Sequence, residues 1–143
     1  MSRRTGGQIL VDQLELHGID LAFGVPGESY LAVLDALVDS PIRYITTRHE
    51  VGASNMAEAY GKLTGRPGIC LVTRGPGATH ASGGIHTAFQ DSTPLLLLVG
   101  QVARGDMERD AFQNLVAGSM GTTQDFDRVI QQRLEEIRTP PPA

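Results

Sequence analysis

The sequence predicts an α/β domain: a doubly wound, mainly parallel sheet with helices on both faces. Two observations carry this expectation. Short apolar or β-branched runs alternate with longer segments whose apolar residues recur at helical spacing, at roughly 25 residues per unit, as right-handed βαβ crossovers require. The last run, Leu95 to Val99, is almost wholly apolar, as a strand covered on both faces should be.

The elements follow in order. Ile9, Leu10 and Leu14 recur at helical spacing, and Gly18 is placed to end that helix. Leu21 to Val25 is a short apolar run, a strand, broken by Pro26-Gly27. Leu31, Leu34, Leu37 and Val38 mark a second helix, stopped before Pro41. Ile42 to Thr46, rich in β-branched and aromatic residues, is a second strand. Ala53, Met56, Ala57, Tyr60 and Leu63 predict the core-facing stripe of a third helix, closed by Gly65 and Pro67. Ile69 to Thr73 is a buried strand, and Gly75-Pro76-Gly77 a turn. Ala81, Ile85, Ala88 and Phe89 mark a fourth helix before Leu95 to Val99. Beyond Gly100 the pattern weakens. Gly105 to Thr123 is expected to be loop, with a mixed and solvated charge run from Arg104 to Asp110. Phe126, Val129, Ile130, Leu134 and Ile137 give an amphipathic helix with Asp125 in its first turn, and Thr139 to Ala143 a disordered proline-rich tail.

Bulk properties narrow the function. A chain of 143 residues points to one domain. Hydrophobic residues at 41% and charged residues at 20% make an ordinary globular composition. Twelve basic against sixteen acidic side chains give a net charge of -4, which does not suggest nucleic acid. The single cysteine, Cys70, permits no internal disulfide and fits a reducing compartment. No signal peptide is evident, and the longest apolar run is too short to cross a membrane, so the cytoplasm is the expected location.

In an open parallel sheet, ligands bind outside the carboxyl ends of the strands. The loops leaving those ends are Gly24 to Glu28, Thr47 to Glu50, Thr73 to His80 and Gly100 to Val102, and they hold the most unusual residues of the chain. A plainer reading stands beside this. A carboxylate that opens a helix, as Glu50 does, is stabilised by the macrodipole whatever its function. Gly-Pro-Gly alone is neither a dinucleotide fingerprint nor a phosphate loop. His49 is expected to pack or cap and to point away from Glu50. His86 is expected to be structural and Cys70 a small core residue.

Six segments then recur in a known order and spacing: Arg48-His-Glu-Val-Gly-Ala, Ala57-Glu-Ala-Tyr-Gly, Thr64-Gly-Arg-Pro-Gly, Gly75-Pro-Gly-Ala-Thr, Ala88-Phe-Gln-Asp-Ser-Thr-Pro and Gly100-Gln-Val. Gly24-Val-Pro-Gly precedes them and Ala111-Phe-Gln113 follows. Together they resemble the N-terminal pyrimidine-binding domain of thiamine-diphosphate enzymes of the acetolactate synthase type. The combination is far more specific than any one element.

The resemblance implies a site residue by residue. Glu50 matches the glutamate that hydrogen-bonds the aminopyrimidine ring nitrogen of the cofactor and so activates it for attack on a 2-oxo acid. Pro26, Thr73, Pro76 and His80 match positions lining the cofactor, and asparagine is commoner than histidine at the last. Glu28 matches a position facing the reacting carbon. Gln113 matches a glutamine reaching toward cofactor and substrate. The catalytic set so implied is Glu50, Glu28 and Gln113.

The resemblance also implies what this chain lacks. Relatives hold the cofactor's diphosphate and Mg²⁺ in a separate domain through Gly-Asp-Gly, which does not occur here. FAD, where relatives carry it, belongs to a middle domain. The expected division is a truncated pyrimidine-binding domain over 1–114 and a divergent end over 115–143. No metal is expected on this chain. The expected partner is a second copy, or a subunit carrying the diphosphate domain. Relatives pair through helices corresponding to those that here carry Gly52, Ala53, Gly83 and Gly84; in this chain those small residues could instead serve only packing on the sheet. Two alternatives stay open: a catalytically silent fragment that only dimerises, and an α/β module binding another nucleotide at the same loops.

Overall fold

The computed structural model of the protein describes residues 3–102. The loop, helix and tail expected after Ala103 lie outside the described residues, as does Gln113.

The described chain forms four strands and five α-helices: α1 (Gly6–Leu16), β1 (Leu21–Gly24), α2 (Leu31–Val38), β2 (Arg43–Thr46), α3 (Glu50–Thr64), β3 (Gly68–Val72), α4 (Pro76–His80), α5 (Ser82–Gln90) and β4 (Leu95–Val99). A 3₁₀ turn, Glu28–Tyr30, leads into α2. All strand pairs are parallel, in the order β2-β1-β3-β4. The doubly wound α/β expectation therefore holds.

Local chemistry explains the element ends. Thr5 and Gln8 form a reciprocal capping box: Gln8 N–H donates to Thr5 Oγ1 at 3.2 Å, and Thr5 N–H to Gln8 Oε1 at 2.9 Å. Gly65 closes α3 in the left-handed conformation, φ 69°. Gly75-Pro76-Gly77 is more than a turn: Pro76 sits in the first turn of α4, where a missing N–H costs nothing. The fourth predicted helix is α5, and a further short helix, α4, occupies the stretch expected to be turn and loop, the two meeting at Ala81.

Period-2 alternation sorts the core onto the two faces of the sheet. Ala22, Ile69 and Leu71 pack with Val11, Leu14 and Leu37 of α1 and α2. Phe23, Cys70 and Val72 pack with Ala53 and Ala57 of α3 and with Ala81. Burying each of Ile69, Leu71 and Val72 contributes about 1.5–3 kcal/mol. β4 departs from expectation. Leu96 and Val99 remain exposed among the described residues, because β4 is an edge strand there.

The core stripe of α3 also differs from the sequence reading. Ala53, Ala57 and Gly61 are buried, whereas Met56 and Leu63 face solvent. Small residues win because α3 lies almost directly on backbone. A Cβ at Gly61 would fall 2.3 Å from the carbonyl oxygen of Pro94, and one at Gly68 would fall 1.9 Å from that of Ala57. The four small residues expected to serve helix approach divide as well. Ala53 and Gly84 are buried within the chain; Gly52 is half-buried and Gly83 exposed.

Candidate functional site

The strand order reverses between β1 and β3, since β2 lies on one side of β1 and β3 with β4 on the other. A crevice outside the carboxyl ends of those two strands is where an open sheet binds ligands. The loops there are tied together. Ser29 Oγ and Thr73 Oγ1 lie 2.8 Å apart, joining the loop after β1 to the end of β3. Thr47 N–H donates to the Gly24 carbonyl at 2.9 Å, fixing the exit of β2 against β1.

Glu50 sits at the first position of α3, at this same edge, with its side chain only 13% exposed. His80, at the end of α4, reaches it: Nδ1 lies 3.1 Å from Glu50 Oε2. When the carboxylate accepts, the His80 proton is on Nδ1. The other carboxylate oxygen faces Gly77, where an added Cβ would stand 3.5 Å from Oε1 and 2.8 Å from Thr73 Cγ2. The glycine keeps that approach open.

His49 caps α3, as expected: its Nδ1 accepts the Val51 N–H at 3.3 Å. The expectation that it points away from Glu50 fails. Its Nδ1 is 3.9 Å from Glu50 Oε2, and its ring lies against His80 with centroids 4.6 Å apart. The cap brings the ring there, because an N-terminal side chain that turns back to the first turn also turns toward the neighbouring carboxylate.

Two tyrosines stand close by. Tyr30 donates its hydroxyl proton to the Val25 carbonyl, and its oxygen lies 3.4 Å from that of Tyr44. Burial raises the pKa of both phenols above the usual tyrosine value, so they are neutral hydrogen-bonding groups at neutral pH. Burial also pushes the Cys70 thiol up to about 12, with the negative charge of Glu50 adding to the effect. Cys70 is buried in β3, as expected of a core residue. His86, by contrast, is exposed on α5 and packs no core.

The remaining predicted site residues are placed as follows. Thr73 is half-buried and held by Ser29. Pro26, on the loop after β1, and Pro76, at the start of α4, are exposed. Glu28 is largely exposed, and its Oε1 accepts from Arg74 Nη2 at 3.3 Å. Glu50, Gly77, Thr73 and His80 are therefore brought together, whereas Glu28 is turned to Arg74. Ser29 and Arg74 were missed by sequence reasoning. Ser29 lies one residue beyond the loop from Gly24 to Glu28 and carries no signal of its own. Arg74 stands immediately after Thr73, and its pairing across two loops leaves no trace in spacing.

Residues 4–120 match the family described as thiamine pyrophosphate enzyme, N-terminal TPP binding domain. The chain belongs to this family. Among its relatives are the acetolactate synthase of Arthrospira platensis, 41% identical over 119 residues, covering 80% of this chain and 21% of the relative. That of Mycobacterium bovis is 43% identical over 114 residues, covering 79% of this chain and 18% of the relative. A probable acetolactate synthase large subunit of Methanocaldococcus jannaschii is 41% identical over 112 residues, covering 78% and 19%. The chain thus spans about a fifth of the length of these members of the thiamine pyrophosphate enzyme family. Among the described residues, no helix is long and apolar enough to cross a membrane.

Proposed function

We propose that this chain supplies the pyrimidine-binding half of a thiamine diphosphate site, with Glu50 as the group that holds the ring nitrogen. One observation supports the reading above others: a carboxylate 13% exposed stands at the carboxyl edge of the sheet beside a glycine that leaves its approach open. That donor suits a nitrogen heterocycle, which can share a proton with a carboxyl group withdrawn from water. When bound, the cofactor supplies an electron sink for bond breaking beside the carbonyl of a 2-oxo acid.

The residues of this chain bind and orient. Glu50 holds a proton between its carboxyl group and the ring nitrogen. His80, bonded to Oε2, fixes the carboxyl plane, so it is a positioning residue. Thr73, held by Ser29, and Pro26 and Pro76 line the pocket. Glu28 and Gln113 act toward the substrate.

The diphosphate and Mg²⁺ fall to a partner domain carrying Gly-Asp-Gly, and FAD, if present, to a middle domain. Residues 1–114 are read as the pyrimidine-binding unit and 115–143 as a divergent end. The complete enzyme is read as an acetolactate synthase-like carboligase or decarboxylase acting on 2-oxo acids. The buried, unpaired Cys70 favours a reducing compartment such as the cytoplasm. Pairing with a second copy is supported by α3 and α5, which leave Leu63 and Phe89 87% and 81% exposed.

The test is Glu50→Gln in the presence of a competent diphosphate-domain partner. Glutamine keeps the size but cannot share an acidic proton. Loss of a positioned acid-base group costs about 10²–10⁴-fold in rate. Unchanged exchange of the cofactor's C2 proton by NMR, with only a lowered melting temperature, would remove Glu50 from the mechanism.

A further inference from the structure

Three side chains at this edge form a constellation of a different kind. His49, Glu50 and His80 each offer one ligating atom, and these atoms all lie within 4.8 Å of one another. His80 Nδ1 and His49 Nδ1 are 3.1 and 3.9 Å from Glu50 Oε2. Around a tetrahedral ion with bonds near 2.0–2.1 Å, ligand atoms stand about 3.3 Å apart. The two separations from Glu50 bracket that value, and the two imidazoles offer nitrogens within 4.8 Å of each other. Both imidazoles are exposed, so small ring rotations close the remaining gap without disturbing the core.

We propose that His49, Glu50 and His80 bind a divalent ion of the zinc class. Two imidazoles and one carboxylate suit Zn²⁺ or Co²⁺, whereas Mg²⁺ takes oxygen ligands almost alone. The ligands come from two elements, the start of α3 and the end of α4, which fixes their spacing in the folded state. Three protein ligands leave the fourth position to water. Uptake displaces the proton of His80 Nδ1 when that nitrogen is the donor to Glu50. It also takes the lone pair with which His49 now caps the Val51 N–H, so the ion replaces one hydrogen bond at the start of α3 with a stronger tie to α4. The inference rests on this triad alone and does not require the cofactor reading. It departs from the expectation that this chain holds no metal.

The experiment is titration of the tag-free chain with Co²⁺, followed by visible absorption, and displacement by Zn²⁺. The expected result is one saturable site per chain with a tetrahedral or five-coordinate spectrum, silent toward Mg²⁺. Loss of even an outer partner of a metal site costs about 10–100-fold in affinity, so His80→Asn and Glu50→Gln should each cost at least that. His86→Asn, on exposed α5, should change nothing. Melting curves confirm that the variants are folded. Absence of saturable uptake, or equal affinity in the parent and His80→Asn, overturns the site.

Discussion

Gly84 and Ser54 meet so closely that a methyl group at Gly84 would fall 2.5 Å from the Ser54 carbonyl carbon. This contact is where α5 crosses α3. The preceding residue on α5, Gly83, has nothing within 4 Å of where a Cβ would be. Gly84→Ala should therefore destabilise the chain by about 1–3 kcal/mol through overpacking. Gly83→Ala should stabilise it by about 0.5–1 kcal/mol through helix propensity. Urea unfolding of the two variants distinguishes them. Equal and small effects would show that α3 and α5 do not pack this tightly.

Cys70 should be inert in the native state. Its thiol is pushed up to about 12 from the usual 9.0. Each unit removes tenfold of the reactive thiolate, so alkylation should run about 10²–10³-fold slower than in the unfolded chain. The linkage has a definite sign. The folded thiol stays protonated where the unfolded one ionises, so stability present below pH 9.0 is lost as pH rises from there through about 12. Tyr30 and Tyr44 act in the same sense above pH 10.0. Melting temperature should fall between pH 9 and 11, less steeply in Cys70→Ala.

At the opposite end of the sheet, Tyr60 donates to Asp20 at 2.7 Å, and Arg66 pairs with the same carboxylate at 3.0 Å. The Tyr60 hydrogen bond, then Arg66, hold the Asp20 pKa below its usual 3.8. A lowered carboxyl contributes stability that is present above pH 3.8 and lost as pH falls through the folded value. Tyr60→Phe should raise the Asp20 titration toward 3.8 in a carboxyl ¹³C NMR series. Asp20→Asn should lower the ionisation of Tyr60, which Asp20 now raises. An unmoved titration in either variant would show that the contact does not persist in solution.

Pairing through α3 and α5 predicts that Leu63→Lys with Phe89→Glu gives a monomeric mass by light scattering at micromolar concentration. Both side chains are exposed, so the fold should lose no more than about 0.5 kcal/mol, as surface substitutions do. A parent chain that is already monomeric at that concentration sinks the pairing reading.

Much of this fold could be read directly from the order of residues. Apolar runs such as Ile69 to Val72 are long enough and β-branched enough to name a strand, and Gly65 closes α3 where its backbone freedom is needed. Less legible was which face of α3 is buried. Apolarity selects Met56 and Leu63, but a helix resting on backbone selects for small size, hence Ala53, Ala57 and Gly61. At the site, Glu50 and His80 were each visible as unusual residues on converging loops. Their mutual contact was not, because it depends on α4, a short helix in a stretch whose glycines and proline read as turn and loop. The turning of His49 toward Glu50 and the pairing of Glu28 with Arg74 depend on rotamers, about which spacing is silent.

The close approach of α3 to main chain at Gly61 and Gly68 has a mechanical consequence. At Gly61 and Gly68 the helix and the strand ends touch main chain to main chain, with no rotamers between them to absorb a displacement. Glu50 stands eleven positions from Gly61, about 16 Å along the same rod at 1.5 Å per residue. Any push at the far end must be taken up as tilt or translation of the whole rod and will be felt at the carboxylate. A mutation at residue 57, 61 or 68 can thus mistune Glu50 without touching it, and a molecule gripping Glu50 can stiffen the edge where Pro94 precedes the last described strand.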